Sequence, residues 1–86
     1  MDIYFKDLRP EYNVIDIRDN TSYNFDHYIN SVNIPMNSLL NNPDKYLNKN
    51  DIYYIYCSSG IRSKKVCSLL SMLGYKVVNV IDGFGK

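Results

Sequence analysis

The chain has 86 residues, of which 45% are hydrophobic and 22% charged, a composition typical of one globular domain. Ten basic and nine acidic residues give a net charge of +1 without a run of like charges, so the sequence lacks the charge pattern of a nucleic-acid-binding protein. No apolar stretch approaches the roughly 18 residues of a membrane span, and the first residues lack the apolar segment of a secretory signal. We therefore expect a cytoplasmic protein that does not enter a membrane, with one domain over residues 1–86.

The first half of the chain predicts short strands that alternate with short helical segments. Apolar runs bounded by polar residues or proline predict strands at residues 2–4, 13–17 and 31–34. A helical turn is expected to end at Leu8, because Pro10 cannot continue it. Residues 20–28 begin with a polar cluster typical of a helix start. Pro43 favours the first turn of another short helix over residues 44–47.

The second half predicts a strand, a longer helix and a last strand. Residues 52–56 are β-branched or aromatic throughout, which favours a central strand. From Ile61 the apolar spacing becomes helical, and the predicted inward stripe is Val66, Leu69, Leu70 and Leu73. Residues 76–80 predict the last strand. Strands that alternate with helices indicate an α/β fold with a mostly parallel sheet.

The loop between the central strand and the long helix carries the strongest functional signal. In parallel sheets ligands bind beyond the carboxyl ends of strands, and Cys57 lies at such an end. A short loop into a helix can direct backbone N–H groups at one point, and Gly60 permits the necessary curl. These donors favour a thiolate, so we predict that Cys57 is an activated nucleophile. The alternative is a buried structural cysteine at an ordinary turn.

Four segments, in chain order, resemble motifs of rhodanese-like sulfurtransferases. The pattern Cys57-x-x-Gly60-x-Arg62-Ser63 resembles the active-site loop of that family, and Asp16-Ile-Arg18 resembles its strand-end motif. Residues 26–35 and 73–83 resemble its histidine-containing run and its last strand with a glycine turn. The resemblance implies a single rhodanese-like domain, with a five-stranded, mostly parallel sheet flanked by helices. The usual terminal helix is expected to be absent, because the sequence ends at Lys86.

The resemblance also implies roles for individual residues. Cys57 is expected to carry a persulfide, and the residues expected to bind the substrate are Ser58, Ser59, Gly60, Ile61, Arg62 and Ser63. Asp16 and Arg18 are expected to support the loops through an ion pair. His27 and Cys67 are expected to be structural. No metal or organic cofactor is implied.

The predicted function is a sulfurtransferase. It would move sulfane sulfur from a small-molecule donor such as thiosulfate to cyanide, a thiol or a protein cysteine. Two alternatives stay open. A phosphatase or arsenate reductase also sets a cysteine before an anion-binding loop and an arginine, but uses five intervening residues where this chain has four, Ser58 to Ile61. A non-catalytic docking or sensing module is the other.

Overall fold

A parallel five-stranded sheet forms the centre of the computed structural model, which describes residues 1–85. The strands are β1 (Asp2–Ile3), β2 (Asn13–Asp16), β3 (Val32–Asn33), β4 (Ile52–Tyr56) and β5 (Lys76–Val80). The helices are α1 (Asn20–Phe25), α2 (Met36–Asn41), α3 (Pro43–Tyr46) and α4 (Ile61–Met72), and a 3-10 turn spans Phe5–Asp7. The sheet order is β1-β5-β4-β2-β3, and each neighbouring pair is parallel. The predicted α/β architecture is confirmed.

Strand β4 separates two hydrophobic cores, because successive side chains of a strand point to opposite faces. Ile55 is fully buried in the larger core, which α2 and α4 cover with Leu39 and Leu70. Tyr56 is fully buried in the smaller core on the other face, where Phe5 of the 3-10 turn packs against it. Both faces of the central strand are therefore covered, as expected for a parallel sheet.

Helix α4 buries a different stripe from the predicted one. Its buried residues are Ser63, Val66, Cys67 and Leu70. Leu69 and Leu73 are 48% and 55% exposed, so their predicted inward orientation is wrong. The spacing of the buried set is still helical, but the set begins at Ser63, a polar residue that apolar periodicity cannot include. The helix is rotated so that Ser63 contacts the Cys57 sulfur.

Two of the shorter helices also differ from the prediction. Helix α2 was not predicted, because only Leu39 of its six residues is buried and the segment contains two asparagines, which have low helix propensity. Helix α1 ends at Phe25 instead of near residue 28, because Asp26 adopts an extended backbone with φ −165° and ψ 143°. Within residues 1–85, no helix combines the length and apolar character needed to cross a bilayer.

Candidate active site

The topology brings the ends of β2 and β4 together at one edge of the sheet. These strands are parallel neighbours, with Asp16 opposite Tyr56, so the residues that follow each strand also meet. The Ile17 N–H donates to the Tyr56 carbonyl over 3.1 Å, which continues the pairing to the strand end. Cys57 follows immediately, and α4 begins four residues later at Ile61. The thiol thus lies between a strand end and a helix N-terminus.

The loop surrounds the Cys57 sulfur with hydrogen-bond donors. The Gly60 N–H donates to Sγ over 3.1 Å and the Ser63 N–H over 3.4 Å. The Ser63 hydroxyl also lies 3.4 Å from Sγ and can donate to it once the sulfur is ionised. Cys57 is only 3% exposed and Ser63 is fully buried, so these contacts are shielded from water. Donors converging on a buried sulfur favour the thiolate.

Two opposing influences set the pKa of Cys57. Burial is the largest single influence and raises the pKa. Hydrogen bonds from the Ser63 hydroxyl and from the backbone of Ser63, Ser59 and Gly60 act in the other direction. Together they outweigh burial and lower the pKa of Cys57 below its ordinary value. The thiolate is the nucleophilic form of cysteine, so the loop increases its reactive fraction at neutral pH.

Two glycines allow the loop to pack against the turn that follows β5. A Cβ on Gly60, whose φ is +88°, would lie 2.1 Å from the Ile81 carbonyl oxygen. A Cβ on Gly83, whose φ is +81°, would lie 2.2 Å from the Ser58 carbonyl oxygen. The N–H of Phe84 then donates to the Cys57 carbonyl over 2.9 Å. The turn after β5 therefore supports the loop from behind, and neither glycine can carry a side chain without displacing it.

A cavity of about 290 Å³ opens beside Cys57. Its lining residues come from the loop, from the first turn of α4, from the segment between β2 and α1, and from α1: Ile17, Arg18, Asp19, Ser22, Cys57, Ser58, Ser59 and Arg62. Of the residues expected to bind the substrate, Gly60 and Ser63 contact the sulfur without lining this cavity. Ile61 is 66% exposed and lies outside it.

Asp19 and Ser22 were not predicted as site residues. Asp19 caps α1, where its carboxylate accepts the Ser22 N–H over 2.7 Å. Hydrogen bonds from Ser22 are the main cause that lowers the pKa of Asp19. The position of Asp19 directly after the strand-end Arg18 was the one available signal in the sequence.

The comparisons with known proteins agree with this geometry. The rhodanese-like domain model matches residues 4–86. The chain belongs to the rhodanese-like domain family. The structure of a rhodanese-like domain protein from Staphylococcus aureus superimposes with a TM-score of 0.77 at 36% identity, covering 84% of this chain and 70% of that one.

Two curated relatives have names that refer to sulfur chemistry. A tRNA sulfurtransferase of Thermoplasma acidophilum is 36% identical over 61 residues, which are 71% of this chain and 12% of the relative. A putative sulfur carrier protein of Bacillus subtilis, YrkF, is 35% identical over 72 residues, which are 83% of this chain and 38% of the relative. This chain therefore corresponds to only a minor part of each relative.

In this rhodanese-like domain, Arg18 and Arg62 have different surroundings. Arg18 forms an ion pair with the fully buried Asp16, with 2.7 Å between Nη2 and Oδ2, and also donates to the Asp26 carbonyl. Its guanidinium lies 4.3 Å from the centre of the Phe84 ring. The Arg62 side chain is exposed, and it forms no hydrogen bond or ion pair with any residue among 1–85. Arg18 is thus held by the protein, whereas Arg62 can pair with an anionic ligand.

His27 and Cys67 do not line the cavity beside Cys57. His27 is exposed, stacks on the Tyr23 ring at 3.8 Å and places Nδ1 2.7 Å from the Tyr23 carbonyl. Cys67 is 8% exposed and belongs to the larger core. Burial raises the pKa of Cys67 to about 12.

Proposed function

We propose that the protein is a sulfurtransferase that carries sulfane sulfur on Cys57. One observation carries the proposal: a buried cysteine sulfur receives hydrogen bonds from Gly60 and Ser63 and borders a cavity that holds the unpaired Arg62. A thiolate provides the nucleophile, and a guanidinium without a protein partner provides the counter-charge for an anionic donor. The names of the two curated relatives support the same chemistry.

The proposed reaction has two displacements. The Cys57 thiolate attacks the outer sulfur of thiosulfate; a bond forms between Sγ and that sulfur, while the bond between the two thiosulfate sulfurs breaks and sulfite leaves with the electron pair. A thiolate or cyanide then attacks the outer persulfide sulfur, and Sγ leaves as a thiolate. Each step ends with negative charge on sulfur or sulfite, so the loop donors and Arg62 stabilise both steps. We expect ping-pong kinetics.

The cavity supports sulfur transfer better than phosphate hydrolysis. Hydrolysis of a phosphate monoester needs a general acid to protonate the leaving oxygen. Asp19 is the one carboxylic acid that lines this cavity within residues 1–85, and its lowered pKa leaves it ionised at neutral pH. The Gly60 and Ser63 donors point at Sγ itself, so a four-residue loop leaves few of them for three phosphoryl oxygens.

The acceptor in the cell is proposed to be a thiol or a protein cysteine. Such an acceptor and a reactive Cys57 both need a compartment that keeps thiols reduced, and the cytoplasm meets that need. A purely docking module would have no use for a thiolate that the loop stabilises despite its burial.

Intact-mass analysis after thiosulfate treatment tests the proposal. We expect one added sulfur atom on the wild type, removed by cyanide, and none on Cys57→Ser. Cys67→Ala is the matched control and should acquire the sulfur like the wild type. An unmodified wild type, or equal labelling of Cys57→Ser, would contradict the proposal. Cys57-dependent turnover of p-nitrophenyl phosphate would favour the phosphatase alternative instead.

A further inference from the structure

Asn79 is a buried polar residue in β5, where the other buried residues are valines. It is 3% exposed, and the adjacent residues of β5, Val78 and Val80, are also buried. Its Oδ1 accepts no hydrogen bond from any residue among 1–85. An acceptor buried without a protein partner lowers stability, so an asparagine at this position requires a reason.

The other half of the Asn79 amide faces the Cys57 loop. Its Nδ2 lies 3.5 Å from the Gly60 carbonyl oxygen, a long hydrogen bond inside the protein. A carbonyl oxygen can only accept, so the amide must turn its NH2 group toward Gly60 and its Oδ1 away from it. The side chain lines a cavity of about 370 Å³ behind the loop, which Asp2 and Lys64 also line.

Gly60 is the loop residue for which a restraint matters most. Its N–H is the donor nearest to the Cys57 sulfur, at 3.1 Å, and glycine has the largest backbone freedom of any residue. The backbone N–H of Lys64 also donates to the Gly60 carbonyl, over 3.2 Å, as the first hydrogen bond of α4. Within residues 1–85, Asn79 supplies the one side-chain hydrogen bond to the backbone of residues 57–63 from outside that segment.

We propose that Asn79 is a positioning residue whose amide holds the Gly60 carbonyl and thereby aims the Gly60 N–H at the Cys57 sulfur. The residue does not line the Cys57 cavity and touches no reacting atom. Its effect on sulfur transfer rests on the proposed function, whereas its effect on the reactivity of the Cys57 thiol does not. An asparagine at this position places an amide donor inside the sheet, and its unpaired Oδ1 lowers stability in return.

The test replaces the amide with apolar side chains of two sizes, Asn79→Val and Asn79→Leu. Both remove the donor to Gly60 and the unpaired acceptor together. We expect alkylation of Cys57 by iodoacetamide at pH 7 to slow about threefold. This is less than the roughly tenfold decrease in thiolate fraction that a rise of one unit in the Cys57 pKa would cause. The midpoint of its pH profile should move upward. The melting temperature should stay the same or rise, because the unpaired acceptor is gone.

Val77→Ala is the matched control, on the same face of β5 two residues earlier and in the larger core. It should lower the melting temperature and leave the alkylation profile of the folded protein unchanged. An unchanged alkylation rate in both Asn79 variants would overturn the proposal. So would failure of both variants to fold, since Asn79 would then be needed for folding itself.

The same variants separate this inference from the proposed function. If thiosulfate adds no sulfur to the wild type while alkylation still slows in both variants, the sulfurtransferase proposal fails and the positioning role stands. If the wild type acquires the sulfur and both variants are alkylated at the wild-type rate, only the positioning role fails.

Discussion

Cys57 and Cys67 lie in the same core and have opposite properties. Their exposed fractions are 3% and 8%, so burial does not distinguish them. The pKa of Cys57 is lowered, whereas burial raises the pKa of Cys67 to about 12. Cys57 precedes a helix whose first N–H groups have no intrahelical acceptor, whereas Cys67 lies in mid-helix, where backbone N–H groups are already bonded. Burial makes a thiol inert unless free donors converge on it.

The cavities beside the two cysteines support the same conclusion. The cavity that Cys67 lines is larger, about 450 Å³ against about 290 Å³, and Lys64 lines it as Arg62 lines the smaller one. A cavity, a cysteine and a cation therefore occur at both places. Within residues 1–85, hydrogen-bond donors are directed at the sulfur of Cys57 and not at that of Cys67. Donor geometry, not cavity size, separates the candidate site from the core cysteine.

The largest expected difference is in alkylation of the native protein. A thiol with an ordinary pKa is about 3% ionised at pH 7, and a pKa of about 12 leaves about one part in 10⁵ ionised. Cys57 should therefore react with iodoacetamide at least about 10³ times faster than Cys67. Peptide mass spectrometry after timed quenching measures both rates. Comparable alkylation rates for the two cysteines in folded protein would contradict the difference in their pKa values.

The next largest effect is expected at the two cations. Arg62→Ala should reduce kcat/KM for thiosulfate roughly 10- to 150-fold, since a charge-assisted contact contributes about 1.5–3 kcal/mol. Lys64→Ala, the matched control beside Cys67, should change it by less than about threefold, because a solvent-screened cation acts weakly at a distance. Steady-state kinetics at constant ionic strength measures both. Equal losses would assign the effect to overall charge instead of a contact with the donor.

Ser63→Ala should make the Cys57 thiol less reactive and so closer to the thiol of Cys67. Among the hydrogen bonds that lower the pKa of Cys57, the one from the Ser63 hydroxyl has the largest influence. We expect alkylation at pH 7 to slow about tenfold, the equivalent of about 1.4 kcal/mol for a hydrogen bond to a charged group. Ser68→Ala, on the same helix beside the Cys67 cavity, should have no effect. A wild-type rate in Ser63→Ala would mean that the backbone N–H groups suffice.

The smallest effect concerns the pH dependence of stability. An acidic group whose pKa is lowered on folding contributes stability above its unfolded pKa, about 8.5 for cysteine, and loses it as the pH falls through the folded pKa. The free energy of unfolding of the wild type, relative to Cys57→Ser, should therefore increase as the pH rises toward about 8.5. Urea denaturation across this range measures it. A decrease over the same range would contradict a lowered pKa for Cys57.

Local sequence signals were enough to predict the parallel α/β sheet and the position of Cys57. The apolar run at 52–56, Gly60 and the helical spacing after Ile61 are close neighbours in the chain, and they favour a strand, a tight turn and a helix in that order. The family resemblance added Arg62 and the pairing of Asp16 with Arg18. These features depend on spacing over a few residues, which a sequence displays directly.

The surroundings of the sulfur depend on contacts between residues far apart in the chain. Gly83 packs on the Ser58 carbonyl, Asn79 reaches the Gly60 carbonyl and Asp19 lines the Cys57 cavity. The rotation of α4 was wrong in the prediction because Ser63, a polar residue, faces inward to the sulfur. Periodicity ranks residues by hydrophobicity alone, so it cannot identify a polar group that is buried because a distant partner requires it. The chain order specifies where Cys57 lies, and the packing of β5 and its following turn against the loop determines which hydrogen-bond donors reach its sulfur.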